Sequence, residues 1–214
     1  MSSENGLFSS SPEKERRFEA ISGVILAIFA AFLAITNLGG GKFDSDKITS
    51  TNEKANAFAW YQSKSLKKNM LENQRDFIQI LMKADVIKKD KVPALDTMIE
   101  SLENEIQEYK KEKKELLLGS QAVGKENWAQ EVNGAYGKIT GALEWEKKID
   151  RLSQSGNKFD ISILFLEICL VLGAISLVMQ NERIRITFIA MMISLGLIGS
   201  VYGIQAFLLA ISIH

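Results

Sequence analysis

Three long apolar runs divide the chain. The first covers residues 21–38 and the third covers 186–213, both without a charged residue, while the second, 161–179, contains only Glu167. A helix needs about 20 mainly apolar residues to cross a bilayer core of roughly 30 Å. The third run is longer than that, so it must tilt or extend beyond the hydrocarbon. We therefore predict an all-α membrane protein with three transmembrane helices, the last two forming a hairpin at 160–213.

A soluble core containing the hairpin is the alternative, but a chain of 214 residues offers too little other structure to surround both helices on all sides. The first run also has an alternative interpretation, as a signal peptide, because basic residues precede it in the tail at 1–20. Acidic residues precede it too, the run is longer than a usual signal core, and no Ala-x-Ala site follows. These features favour an uncleaved anchor.

The flanking charges predict an orientation. Arg16 and Arg17 precede the first apolar run, and Arg183 and Arg185 lie between the second and third. Three crossings put both places on one side of the membrane, which the positive-inside rule identifies as the cytoplasm. The segment at 39–159 would then lie outside. Lysines near its ends oppose this assignment, although charges count less in long loops.

The middle segment, 39–159, carries most of the charge and has a helical pattern. The glycines at 39–41 predict the end of the first membrane helix. Ser50 and Glu53 form a capping box that predicts the start of a second helix, which runs into the low eighties. Its apolar positions recur at spacings of four and seven, giving one stripe. These positions are Leu66, Met70, Phe77 and Leu81.

Two further helices are expected in this segment. Pro93 fits the first turn of one, and the apolar positions that follow it alternate steps of four and three, broken only by Lys113. They are Leu95, Ile99, Leu102, Ile106, Tyr109 and Leu116. This spacing is typical of an antiparallel helical or coiled-coil domain. The other helix is predicted at 126–152, with Gly134, Gly137 and Gly141 allowing close approach or simply weakening it, and its end at Gly156. Its apolar face would be Val132, Tyr136, Ile139 and Leu143.

Composition excludes several chemistries. The chain has one cysteine, Cys169, and one histidine, His214, so one subunit cannot supply a usual zinc site or a Ser-His-Asp arrangement. No phosphate-binding glycine loop is present, and we expect neither an enzyme nor a cofactor. The chain has 26 basic and 26 acidic residues, and Lys and Glu alternate closely through the middle segment, which argues against nucleic-acid binding.

Glu167 is the most informative single residue, because a carboxylate at the centre of a membrane helix costs about 2.5 kcal/mol or more. Counting from the turn near residue 180 places it level with 199–203, so Ser200 and Tyr202 are expected partners. Glu167 would act either as a relay for protons or ions, as a polar ring in an oligomer, or as a protonated packing contact.

Small residues four apart allow membrane helices to approach closely. Gly199 and Gly203 form such a pair in the third run, and Gly23, Ala27 and Ala31 form a ladder in the first. The pattern predicts close packing without deciding between contacts inside one chain and contacts between subunits.

A cluster of aromatic and basic residues, Trp60, Tyr61, Lys64 and Lys67, stands out in the middle segment. Such a cluster marks either a packed helix seam or an interaction surface at the membrane interface or for a protein partner.

The same stretch carries a family resemblance. Residues 60–67, the charged run at 105–113 and the lead-in at 156–160 resemble the DUF4337 family of uncharacterised bacterial membrane proteins, as does the order of anchor, helical middle and terminal hairpin. The segment at 119–141 departs from the family pattern, being longer and richer in glycine. The resemblance implies a fold and a bacterial inner-membrane location, and no mechanism.

Two functions compete on this basis. The first is a non-enzymatic, homo-oligomeric protein embedded in membrane lipid, whose narrow-striped helices pack against copies of themselves and bind a protein partner. The second is a small channel or transporter subunit with Glu167 facing a polar pathway.

Overall fold

A computed structural model describes residues 12–212, and these are almost entirely helical. The helices are α1 (Pro12–Lys83), α2 (Val92–Leu118), the short α3 (Ser120–Val123), α4 (Ala142–Val178) and α5 (Glu182–Ile211). Single 3-10 turns lie at Lys89–Lys91 and Lys125–Asn127, and a small hairpin pairs β1 (Glu131–Val132) with β2 (Ala135–Tyr136). The chain divides into two compact units, and α1 and α4 contribute residues to both.

The apolar unit comprises the described residues up to Asp46 and from Arg151 onward. Its three helices are long and apolar enough to cross a membrane, and they coincide with the three apolar runs of the sequence. Side chains from α1, α4 and α5 meet in one core, formed by Phe29, Leu166, Cys169, Ile189 and Met192. Asn181 caps α5, because its side-chain oxygen accepts hydrogen bonds from the backbone N–H groups of Arg183 and Ile184.

The expected helix end at residues 39–41 is wrong, since α1 continues through all three glycines. A side chain at Gly39 would collide with the ring of Phe207, so the missing Cβ makes room for aromatic packing. Phe159 completes this second core, stacking on Phe43 at a centroid distance of 5.6 Å and meeting Phe207 edge-on at 4.9 Å. Tertiary packing therefore outweighs the helical cost of about 1 kcal/mol per glycine.

Two other predicted helix boundaries are also wrong. Ser50 is 2% exposed inside the continuous α1 and caps nothing. Gly156 lies within α4, where the neighbouring Ser155 donates a hydrogen bond to the carbonyl oxygen of Ala206 on α5. Packing against α5 keeps this part of α4 helical.

The charged unit is Lys47–Asp150. Pro93 lies in the first turn of α2, as predicted, and the apolar positions Leu102, Ile106 and Leu116 are buried, which confirms the packed face of this helix. The stripe predicted on α1, in contrast, is not packed within the single chain. Leu66, Met70 and Phe77 are all more than 60% exposed.

The helix predicted at 126–152 is wrong over its first half. Residues 124–141 form a turn, the two short strands and an extended segment, and helix α4 begins only at Ala142. Asn133 and Gly134 both have positive φ, at 51° and 75°, and they form the two-residue turn between β1 and β2. Gly137 has φ of 79°, which a right-handed helix excludes. The clustered glycines therefore mark turns, and Asn-Gly is the sequence signal for a tight hairpin.

Candidate functional site in the charged unit

A buried carboxylate organises the segment at 119–141, which we call the hairpin segment. Glu115, on the last turn of α2, is 0% exposed. One of its oxygens accepts a hydrogen bond from Ser120 Oγ at 2.7 Å, and the other accepts from the backbone N–H groups of Ala129 and Gln130, both at 2.8 Å. Hydrogen bonds to an ionised carboxylate are stronger than neutral ones, so this single side chain fixes both ends of the intervening turn.

Ser120 extends this network towards the second half of the segment. Its hydroxyl oxygen accepts a hydrogen bond from the N–H of Ile139 at 2.8 Å, and its carbonyl oxygen accepts one from the indole N–H of Trp128 at 2.8 Å. Gly141 lies directly against the backbone of Leu118 and Gly119, where any side chain would overlap main-chain atoms. The hairpin segment is therefore held to the end of α2 along its length.

The hairpin segment forms one wall of an amphipathic cleft of about 500 Å³, which we call the tryptophan cleft. This volume lies within the range of small-molecule sites. Its lining comprises two indole rings, four aliphatic side chains, two side chains of opposite charge and two neutral polar side chains. The lining residues are Glu53, Asn56, Ala57, Trp60, Leu116, Val132, Lys138, Ile139, Thr140 and Trp145. The cleft suits a mainly apolar group that carries a few polar atoms.

The predicted interaction surface is divided in the structure. Trp60 lines the tryptophan cleft and is 54% exposed. Tyr61 lies beneath the ammonium group of Lys113, 4.8 Å from the ring centroid. Lys64 belongs to the seam between α1 and α2, where it forms an ion pair with Glu112 at 2.7 Å, whereas Lys67 is exposed. The cluster thus combines a packed seam with an accessible surface.

The polar residues that the sequence predicts within the membrane lie in the apolar unit, and they do not converge. Glu167 is exposed on α4. Ser200 donates its hydroxyl hydrogen to the carbonyl oxygen of Gly196 on its own helix, and the ring of Tyr202 stacks on Phe165. Within residues 12–212, the expected hydrogen bonds from these two residues to Glu167 are not formed.

Another serine makes a polar contact between α4 and α5 beside the glycine pair. Ser162, fully buried, donates a hydrogen bond of 2.7 Å to the carbonyl oxygen of Gly199. A Cβ added at Gly199 would lie 2.9 Å from Leu166 Cγ, and one at Gly203 would lie 2.9 Å from Ser162 Oγ. The glycine pair therefore packs against α4. Sequence reasoning missed Ser162 because it searched for partners of the charged residue rather than for hydroxyls facing the glycines.

The small-residue ladder of α1 lies elsewhere. No atom lies within 4 Å of a Cβ built at Gly23, and Ala27 and Ala31 are exposed. The ladder is therefore an outward-facing strip of the apolar unit.

Comparison with protein families identifies the chain. The model of a domain of unknown function, DUF4337, matches residues 18–209. The chain belongs to the DUF4337 family. The match covers the charged unit, most of the apolar unit and the whole hairpin segment of this DUF4337 protein. No curated protein and no solved structure matches the chain.

The DUF4337 chain offers no evident metal site in its described part: across residues 12–212, no group of three or more His, Cys, Asp or Glu side chains is placed to hold an ion. The chemistry available in the charged unit is instead that of aromatic rings, lysine ammonium groups and a fixed loop. These features are suited to binding.

Proposed function

We propose that this protein is a non-enzymatic, oligomeric integral membrane protein whose charged unit associates with copies of itself and presents a partner-binding surface. The limited burial of the apolar helices supports the membrane location. In each of these helices an 18-residue apolar window is mostly exposed: only 11% of it is buried in α1, 28% in α4 and 22% in α5. A soluble protein would leave far less apolar helix surface in water.

The observation that carries the proposed self-association is an exposed apolar stripe on α1 in the charged unit. Five large side chains there are between 61% and 65% exposed. At 3.6 residues per turn they fall within an arc of roughly 80° on one helix face. They are Ile48, Leu66, Met70, Phe77 and Ile80. We refer to them as the α1 stripe.

A second copy of the chain is the occupant that fits the α1 stripe best. Leu66, Met70 and Phe77 follow the spacings of four and seven that a helix–helix seam requires. Removing apolar surface from water stabilises a protein by about 25 cal/mol per Å². Two such stripes are therefore more stable packed against each other than exposed to water. We therefore propose that the α1 helices of two subunits pack against each other along the α1 stripe.

Glu167 supports association within the membrane as well. An exposed carboxylate on a membrane helix faces lipid in a single chain, which costs about 2.5 kcal/mol or more. Contact with a neighbouring subunit removes the side chain from lipid. The same exposure supports the second candidate function, in which Glu167 residues of several subunits line a polar pathway for ions.

The basic residues beside the membrane helices support the proposed topology. Arg16 and Arg17 precede the apolar part of α1, and Arg183 and Arg185 lie at the start of α5. With three crossings, we place these ends in the cytoplasm and the charged unit outside a bacterial inner membrane.

The particle mass in mild detergent tests the proposal. We expect light scattering to give a protein mass of two or more 23.9 kDa chains for the wild type, and a smaller particle for Leu66→Lys/Phe77→Lys. The charge-matched control is Asn104→Lys/Gln107→Lys on the exposed face of α2, which should leave the mass unchanged. A strictly monomeric wild type contradicts the proposed oligomer.

Ion flux tests the second candidate. Liposomes containing the wild type should conduct ions, and Glu167→Gln should change that conductance. Absent flux, or flux that the substitution leaves unaltered, removes this candidate and leaves the scaffold.

A further inference from the structure

A second cleft of the charged unit, separate from the tryptophan cleft, has four lysines among its six lining residues. It lies between α1 and α2, has a volume of about 360 Å³, and is called the lysine cleft here. Its lining residues are Tyr61, Lys68, Lys110, Lys113, Lys114 and Leu117. Four lysine side chains therefore line one small concave space, and no carboxylate is among its lining residues.

Two of these lysines have protein partners, and two do not. Lys68 pairs with Glu72 at 2.6 Å, and Lys113 donates a hydrogen bond of 2.8 Å to Ser65. Among the described residues, Lys110 and Lys114 form neither an ion pair nor a hydrogen bond. They lie four residues apart on α2, a spacing at which like charges destabilise a helix. A bound anion would relieve this repulsion.

The adjacent seam between α1 and α2 contains a lysine whose charge is neutralised within the protein, and it serves as a comparison. There Lys64 also lies over an aromatic ring, that of Tyr109, at 5.3 Å from its centroid. Its ammonium group is neutralised by Glu112 at 2.7 Å, and that carboxylate is 10% exposed. The lysine cleft has the corresponding lysine and ring, in Lys113 over Tyr61, without the carboxylate.

The lowered pKa of Glu72, which lies beside the cleft, indicates a positive electrostatic potential there. The hydrogen bond from Lys68 lowers the pKa of the Glu72 carboxyl group, and the charges of Lys68, Lys110 and Arg75 lower it further. The attraction from Lys110 reaches Glu72 without an ion-pair contact. One carboxylate therefore partly offsets one side of the cleft and leaves its α2 side positive.

We propose that the lysine cleft binds a phosphate-bearing anion with at least two negative charges. Lysine ammonium groups bind phosphate as point charges, and a phosphate group presents three acceptor oxygens and nearly two charges in a compact volume. The cleft is large enough for a small phosphorylated ligand. This binding concerns one chain alone and does not depend on the proposed oligomer.

Titration calorimetry of the full chain in detergent, with sodium tripolyphosphate as the probe, tests the site. We expect one saturable site per chain, and a loss of affinity of tenfold or more in Lys110→Gln/Lys114→Gln. The matched control is Lys83→Gln/Lys111→Gln, which removes the same charge from exposed positions of α1 and α2 that do not line the cleft. It should stay within twofold of the wild type.

A variant with the opposite effect guards against misfolding as an explanation. Glu72→Gln removes the neighbouring carboxylate and should raise the affinity severalfold. No binding by the wild type, or an equal loss in the two lysine pairs, overturns the site. So does a poly-glutamate peptide that binds the cleft where tripolyphosphate does not.

The source of the phosphate is resolved by a second arm of the same titration. Phosphatidic acid in mixed micelles, compared with phosphatidylcholine, replaces the free probe. Binding of phosphatidic acid that competes with tripolyphosphate and is lost in Lys110→Gln/Lys114→Gln assigns a lipid headgroup. Binding of tripolyphosphate alone assigns a free anion, and both results support the site.

Discussion

Removing the buried carboxylate of Glu115 should release the hairpin segment. Glu115→Ala deletes the acceptor for Ser120 Oγ and for the N–H groups of Ala129 and Gln130. A hydrogen bond to a charged group contributes about 1.5–3 kcal/mol, and the three bonds share one side chain, so their effects do not simply add. Opening the segment lets the released donors reach water, which limits the loss of free energy that holds the segment closed to about 3 kcal/mol.

Hydrogen exchange measures this opening directly. A loss of about 3 kcal/mol corresponds to roughly a 100-fold larger opening constant, since each 1.4 kcal/mol is tenfold. We therefore expect the amides of Ala129, Gln130 and Ile139 to exchange about 100-fold faster in Glu115→Ala. Glu115→Gln keeps one acceptor oxygen and should give about tenfold.

The control for this experiment is Glu131→Ala, which removes an exposed carboxylate from the same segment. It should leave exchange at the three amides unchanged. Wild-type exchange rates in Glu115→Ala would refute the reasoning, because the segment would then be held by contacts other than the carboxylate. Faster exchange throughout α2 would also refute it, since the effect would then be global unfolding.

Three further outcomes follow from the packing and charges. Gly199→Ala places a methyl group against α4 and should cost about 1–3 kcal/mol, seen as a lower Tm in detergent, whereas Gly23→Ala points into open space and should leave the Tm unchanged. Gly141→Ala overlaps the backbone at the end of α2, so limited proteolysis should cut the hairpin segment faster. The pKa of Glu72 in the folded state is below its ordinary value of 4.5, so its pair with Lys68 stabilises the fold above that pH. This stabilisation is lost as the pH falls through the lower folded-state pKa. The acid transition seen by circular dichroism should therefore shift to higher pH in Lys68→Gln.

The parts of the fold that local pattern controls could be predicted from the sequence. The three apolar helices follow from long runs that are almost free of charge, and α2 follows from the spacing of its apolar residues and from Pro93 at its start. Gly39 could not be interpreted this way, because its role depends on Phe207, which lies far along the chain. Asn133 and Gly134 carried a hairpin signal, but the apolar positions around them also matched a helical spacing and misdirected the assignment.

The candidate site was less accessible to sequence reasoning. Glu115 stands in a run of alternating lysines and glutamates, and nothing local separates it from its solvated neighbours. Its partners are 5, 14 and 15 residues away, and only the fold brings them together. The lysine cleft was hidden for the same reason, since Lys68 and Lys110 approach only when α1 packs on α2. Trp60 and Tyr61 were identifiable because aromatic side chains beside lysines are unusual in an otherwise polar helix.

Cysteine cross-linking at the α1 stripe tests the central claim, self-association through this face, most directly. Phe77→Cys should give a disulfide-linked dimer under mild oxidation in native membranes, because in the proposed oligomer the α1 stripe of one subunit faces that of another. The wild type contains only Cys169, which is buried, and should remain uncrosslinked, as should Gln107→Cys on the exposed face of α2. A dimer specific to Phe77→Cys is the predicted result. A monomer in all three, or equal cross-linking at residues 77 and 107, would contradict the account.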